Sequence, residues 1–247
     1  MTLELHHFDF WPSSMAAKVA LLERNAVFNT ITVDMANGGH QTAAFLALSP
    51  SGEPPALVDT AGPSGLHPLE MFEASAVMSH LDANVQRLNL GGANFIPQTP
   101  CNIPLTHQWV AWTRVHLAPA IEGLLLHGKI LARANRSATK FGAALQQFRA
   151  AVAVLETRVP APGTFMNRDI LHPGGGDKGT FSAADVVLAS NLTYGRLLPQ
   201  TSPVLDGSPS VLAYLGSIEA RPAFQAALKG ISLPGGGGQP PDPIEPP

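Results

Sequence analysis

The spacing of apolar positions along this chain of 247 residues changes period about a third of the way in. Near the N-terminus, Leu3 and Leu5 alternate with polar neighbours, which predicts a short strand. Pro12-Ser13-Ser14 supplies a turn and a helix N-cap ahead of AAKVALL, a run of helix formers at 16–22. The β-branched run VFNTITV at 27–33 predicts a second strand. A loop at Asn37-Gly38-Gly39 and a short helix at 41–48 follow, with Phe45 and Leu48 on one face. Pro54-Pro55 then opens a short apolar strand, a turn, another strand and a helix from Phe72 to about Asp82 with an acidic start at Glu73. The order is βαβαββα. The helical connection between the first two strands implies a parallel pair, and the short turn between the last two an antiparallel one.

Beyond this unit the pattern becomes wholly helical. Residues 88–104 (LNLGGANFIPQTPCNIP) are rich in Gly, Pro and Asn without periodicity and read as a linker. A helix is predicted from Thr106 to about Arg133, kinked at Pro119, and an amphipathic one over 138–159. Ser182-Ala183-Ala184-Asp185 reads as a capping box before the apolar run VVLAS, with Asp in place of the usual Glu or Gln. A last helical pair spans 208–228, jointed at Arg221-Pro222. The expected organisation is an N-terminal unit at 1–86, a linker at 87–105, an all-helical unit at 106–233 and a disordered Pro/Gly tail at 234–247.

Composition narrows the function. Charged residues make up 13% of the chain, against a usual ~25%. This predicts an apolar interface or cleft. A net charge of −3 with no basic run leaves no footprint for nucleic acid or an anionic membrane surface. The N-terminal residues MTLELHHFDFW lack the basic and apolar regions of a signal peptide, and no apolar run reaches ~18 residues, so nothing is expected to span a bilayer. The single cysteine, Cys101, excludes an internal disulfide and a CxxC redox site, and a cytoplasmic setting is expected. The histidines show no ligand spacing, so no metal site is expected.

The double proline is a candidate cis bond, because the cis form costs only ~0.5–1 kcal/mol at X-Pro. Pro55 followed by Ala-Leu-Val, a turn and the acid-headed helix resembles the second half of a thioredoxin-like unit. Four patterns extend the resemblance over residues 3 to about 230. They are PSSMAAKVALLE, FLALSPSGEPPALVD, EASAVMSHL, and GTFSAADVVLA followed by YLGSIEARPAF. Together, in this order, they resemble the cytosolic glutathione transferases of Ser type, theta- or zeta-like or a bacterial or fungal relative. The implied fold is α/β plus all-α: a thioredoxin-like N-terminal domain followed by an all-helical C-terminal glutathione-transferase domain. The implied reaction adds the glutathione thiolate to an electrophilic apolar small molecule, as in detoxification, and the implied assembly is a homodimer across the third helix and the first C-terminal helix. The resemblance implies glutathione as co-substrate and no metal. The alternative is a non-catalytic scaffold module of the kind found in elongation factor 1 gamma.

The resemblance also assigns residues. Ser13, or Ser14 one residue on, would stabilise the thiolate at the start of the first helix. Either could instead cap that helix. Glu73 would pair with the γ-glutamyl ammonium, or else complement the helix dipole. Pro55 would present backbone to the cysteinyl part, and His40 would reach the glycyl carboxylate. Three positions of this glutathione site depart from the family. Glu53 stands where Lys or Gln contacts the glycyl carboxylate, so like charges would repel. Pro54 has no N–H to give. Ala74 lacks the usual hydroxyl, although its N–H, or Ser75, can still serve the γ-glutamyl carboxylate. Weaker glutathione binding than usual is expected. Phe10, Trp11, Trp112, Val115 and His116 are the expected wall for the second substrate, with Trp109 and the His116 ring assigned to core packing.

Overall fold

The computed structural model describes residues 2–167, 179–229 and 231. The tail expected at 234–247 lies outside the described residues.

The first unit follows the predicted order: β1 (Leu3–His7), α1 (Pro12–Glu23), β2 (Phe28–Thr32), α2 (Ala43–Leu48), β3 (Ala56–Asp59), β4 (Leu69–Phe72) and α3 (Ala74–Ala83). The sheet runs β2-β1-β3-β4, with β1 parallel to β2 and antiparallel to β3, and β3 antiparallel to β4. Leu3 and Leu5 point into the core beneath α1 and α3, as their alternation requires. The Pro54–Pro55 bond is cis.

Two boundaries differ from expectation. Helix α1 starts at Pro12, with Trp11 as N-cap, so neither Ser13 nor Ser14 caps it. Proline is favoured at the first helical position, where its missing N–H would have had no partner. Phe72 belongs to β4, paired with Ala56, and the turn into α3 falls on Glu73 at φ 72°. The sheet's demand for a partner to Ala56 outweighs the helical spacing of Phe72.

The helical half contains α4 (Asn102–Trp112), α5 (Ala118–Leu125), α6 (Ala138–Glu156), α7 (Ala183–Leu197), α8 (Ser202–Asp206), α9 (Pro209–Glu219) and α10 (Pro222–Leu228). Helix α4 begins inside the predicted linker. Pro104 is tolerated there because the first-turn N–H groups have no intrahelical acceptor. The predicted kink takes the form of a π-helical turn at Thr113–Leu117, just before Pro119. Proline offers no hydrogen to the carbonyl four residues back, and the widened turn absorbs that loss. A second π turn, Leu126–Ile130, closes α5. The Arg221-Pro222 joint falls between α9 and α10 as predicted, with Arg221 as N-cap of α10.

The capping box at the head of α7 forms. Asp185 Oδ2 accepts the Ser182 N–H and O–H, each at 3.0 Å. Its Oδ1 accepts the Met166 N–H at 2.9 Å and the Tyr214 O–H at 2.8 Å. This fully buried carboxyl joins α7, α9 and the segment before α7. The two halves share one apolar core, in which α1 lies against α3, α7 and α10. At their seam Glu23 receives a bidentate pair from Arg221 at 2.7 and 2.8 Å, and the guanidinium stacks 3.7 Å over the Phe181 ring. Among the described residues, no helix is long and apolar enough to cross a membrane.

Candidate functional site

The strand register gathers the predicted residues at one end of the sheet. His6 stands opposite Ala56, and Ala56 opposite Phe72, while His7 pairs with Thr32. The turn into α1, the Glu53–Pro55 loop, the turn into α3 and the segment after β2 therefore all leave from the same edge.

At the α1 turn the two serines separate. Ser14 is buried, and its Oγ accepts the Phe8 N–H at 3.1 Å, fastening the loop between β1 and α1. Ser13 is half-buried in the first turn, and its hydroxyl makes no hydrogen bond among the described residues. Tyr194 of α7, fully buried, donates its O–H to the Asp9 carbonyl and holds the same loop from the helical half. Burial raises the Tyr194 phenol far above its ordinary range, with Asp9 adding to the rise, so it stays a donor.

The cis-proline loop sits against the turn that carries His40. Gly52, at φ 69°, makes this approach possible: a Cβ there would lie 3.2 Å from the His40 carbonyl and 3.1 Å from Gln41 Nε2. His40 is half-buried, with Nδ1 shut off from solvent and without a partner. Glu53 is exposed and Pro54 and Pro55 are buried, and the Glu53 carbonyl accepts the Ser49 O–H at 2.8 Å.

At the head of α3, Glu73 occupies a backbone region that costs ~1–3 kcal/mol for a residue with a Cβ. Its Oε1 accepts a hydrogen bond from Arg114 Nη2 at 2.8 Å, so the side chain reaches across to the helical half and does not cap α3. The Ala74 and Ser75 N–H groups, at the positive end of the helix, have no hydrogen-bond acceptor among the described residues. Ala74 is buried and Ser75 half-buried. Arg114 was not among the predicted residues. Its one signal in the sequence is a lone cation inside the apolar run WVAWTRVHL.

A third carboxylate, Glu122 of α5, belongs to this pole. Burial pushes its carboxyl up to about 7; Glu53 and Glu73 add to the rise, and Arg114 opposes it. The folded chain thus keeps a proton that the unfolded chain gives up near the ordinary glutamate value of 4.5. Stability therefore falls as pH climbs from there to about 7. In Glu122→Gln this slope is expected to vanish, the variant gaining about 2–3 kcal/mol on wild type between pH 5 and pH 8 in urea titrations. Parallel stability curves would refute the assignment.

The expected second-substrate residues divide into two groups. Phe10 and Trp11 join Phe8, Val33, Met35, Phe45 and Ala56 in one apolar cluster, against which Leu126 and Ile130 pack from the helical half. Trp11 is buried and Phe10 half-buried. Trp112 belongs to the other core, edge-on to Trp109 at 5.5 Å and 5.4 Å from the His116 ring. Val115 is 62% exposed, and His116 is exposed as well, not in the core. Leu126 and Ile130 escaped sequence reading because the π turn shifts them off the helical period.

The comparisons with known proteins agree with this fold. No protein-family profile matches the sequence. Glutathione S-transferase 3 of Zea mays is 28% identical over 233 residues, spanning 94% of this chain and 96% of the plant protein. Among solved structures, glutathione transferase F7 from Populus trichocarpa superposes with a TM-score of 0.73 at 22% identity, covering 94% of this chain and all of that one. A glutathione transferase family member from Pseudomonas fluorescens, crystallised with two glutathione bound, gives a TM-score of 0.71 at 19% identity, with 92% of each chain covered.

Proposed function

We infer that this chain is a glutathione transferase of Ser type. The observation that carries this reading is the convergence of three features at one sheet end: the free Ser13 hydroxyl, the cis-Pro55 loop and the uncapped head of α3. Similarity to the maize enzyme over nearly the whole chain supports it.

Each part has a physical task. A free thiol of glutathione ionises near the cysteine value, ~8.5, and only the thiolate is an effective nucleophile. The head of α1 and the Ser13 O–H stabilise negative charge on sulfur, so the thiol proton passes to solvent near neutral pH. The thiolate then attacks the electrophilic carbon of an apolar acceptor; a carbon–sulfur bond forms and the leaving group departs with its electron pair. Phe10, Leu126 and Ile130 flank the acceptor and hold it close. Glu73 presents its second carboxylate oxygen to the γ-glutamyl ammonium, and the Ala74 and Ser75 N–H groups take the neighbouring carboxylate. His40 serves the glycyl end. Exposed Leu69 and Phe72 on edge strand β4, with Val115, provide apolar surface for a homodimer.

Thiol consumption with an aromatic halide, together with retention on immobilised glutathione, tests the reading; a chain that does neither is a scaffold. Binding is expected to be weak, because Glu53 opposes the glycyl carboxylate. Glu53→Lys should tighten glutathione binding about five- to tenfold, a gain of about 1 kcal/mol from an exposed charge. An unchanged dissociation constant would remove Glu53 from the site.

A further inference from the structure

Glu122 takes no part in activating the thiol, yet it stands where the two sides of the cleft meet. Leu126, one helical turn beyond it, packs from the helical half on the cluster of Phe8, Trp11, Phe45 and Ala56. The carboxyl therefore lies on the face of α5 that continues into the acceptor wall. From the opposite side, Glu53 of the cis-proline loop and Glu73 at the head of α3 both act on it, and Arg114 from the π turn before α5 partly offsets them.

Among the described residues the Glu122 carboxyl makes no hydrogen bond and no ion pair, and the Arg114 guanidinium is spent on Glu73. A half-buried carboxyl facing two others keeps its proton into the neutral range, to about 7. The cleft thus holds an unspent O–H donor beside its apolar wall.

That proton matters to some acceptors and not to others. An aryl halide releases a stable halide and needs none. In an epoxide, attack of the thiolate on a ring carbon forms the C–S bond and breaks a C–O bond, whose electron pair stays on oxygen. The resulting alkoxide is a far stronger base than a carboxylate, so opening the ring in an apolar cleft calls for an acid at that oxygen.

We propose that Glu122 is the general acid of this cleft, giving its proton to the oxygen of an epoxide acceptor as the ring opens. The assignment rests on the reading of the cleft as a thiol-transferring site, which supplies the sulfur nucleophile. The carboxylate left behind regains a proton from water, equal to the one the thiol gave up, so the cycle balances. Phe10, Leu126 and Ile130 suit an apolar substituent on the epoxide.

Styrene oxide and chlorodinitrobenzene, compared as acceptors across the neutral pH range, test the assignment in wild type and in Glu122→Gln, a variant expected to fold more stably than wild type. In wild type, kcat/KM for chlorodinitrobenzene should rise with thiol ionisation to a plateau. That for styrene oxide should turn down above about 7, where Glu122 loses its proton. In Glu122→Gln the downturn should vanish, and the ratio of styrene oxide to chlorodinitrobenzene kcat/KM should fall roughly 100-fold below neutral pH. Glu122→Asp, which keeps an acid on the same helix face, should keep a downturn. A purely structural role would lower both acceptors together and leave the ratio alone. With chlorodinitrobenzene turnover present, three results overturn the assignment by itself: no turnover of styrene oxide, a styrene oxide profile without the downturn, or a Glu122→Gln ratio within about threefold of wild type. Absence of turnover with chlorodinitrobenzene overturns the thiol reading, and the assignment with it.

Discussion

Replacing Ser13 by alanine is expected to lower kcat/KM for thiol addition by roughly 10²–10³-fold, the usual cost of removing one donor aimed at a developing anion. The same variant should ionise its bound thiol at higher pH, seen as a rise in the pH at which thiolate absorbance appears. Folding should hardly change, because the Ser13 hydroxyl holds nothing else in place. Ser14→Ala should behave in the opposite manner. It strands the Phe8 N–H in a buried loop. The loss is about 1–2 kcal/mol of stability, with activity reduced less than tenfold. An active Ser13→Ala beside a dead Ser14→Ala would exchange the two roles.

The second large effect concerns the head of α7. Asp185→Ala is expected to destabilise the chain by about 3–5 kcal/mol in urea titration, a large share of the ~5–15 kcal/mol that holds a typical domain. The carboxylate satisfies the Ser182 N–H and O–H, the Met166 N–H and the Tyr214 O–H. Burial pushes its carboxyl up to about 6, and these four bonds pull against that rise. Alanine leaves all four donors without an acceptor in a closed core. Asp185→Asn keeps one oxygen and should lose only about half as much. A loss below about 1 kcal/mol in the alanine variant would mean that water enters to replace the carboxylate.

These two sites also mark how far the sequence could be read. The Ser182–Asp185 box, the Arg221-Pro222 joint and the cis Pro54–Pro55 bond are local devices, whose causes lie within a few residues, and each forms as expected. The parallel first pair and the antiparallel last pair follow from connection lengths. What escaped reading depends on partners far away in the chain. Glu73 and Arg114 are 41 positions apart, and Tyr194 meets Asp9 across 185. The loss of Phe72 to β4 and the π turn beside Pro119 arise where a local preference yields to a neighbour's hydrogen-bonding needs. Ser13 and Ser14 could be separated only once the start of α1 was fixed at Pro12, since one residue of slip exchanges a free hydroxyl for a spent one.

The seam between the halves bears on how the cleft can move. Helix α1 carries Ser13, yet its outward face is bound by α7 and α10, and its last turn is locked through Glu23 to Arg221. A hinge that swung one half away from the other would have to tear this helix from part of the core that the halves share. The packing on both sides of α1 opposes rigid-body opening. If the proposed reading holds, selectivity toward acceptors is expected to follow single side-chain changes in this cleft more than any change in hinge length.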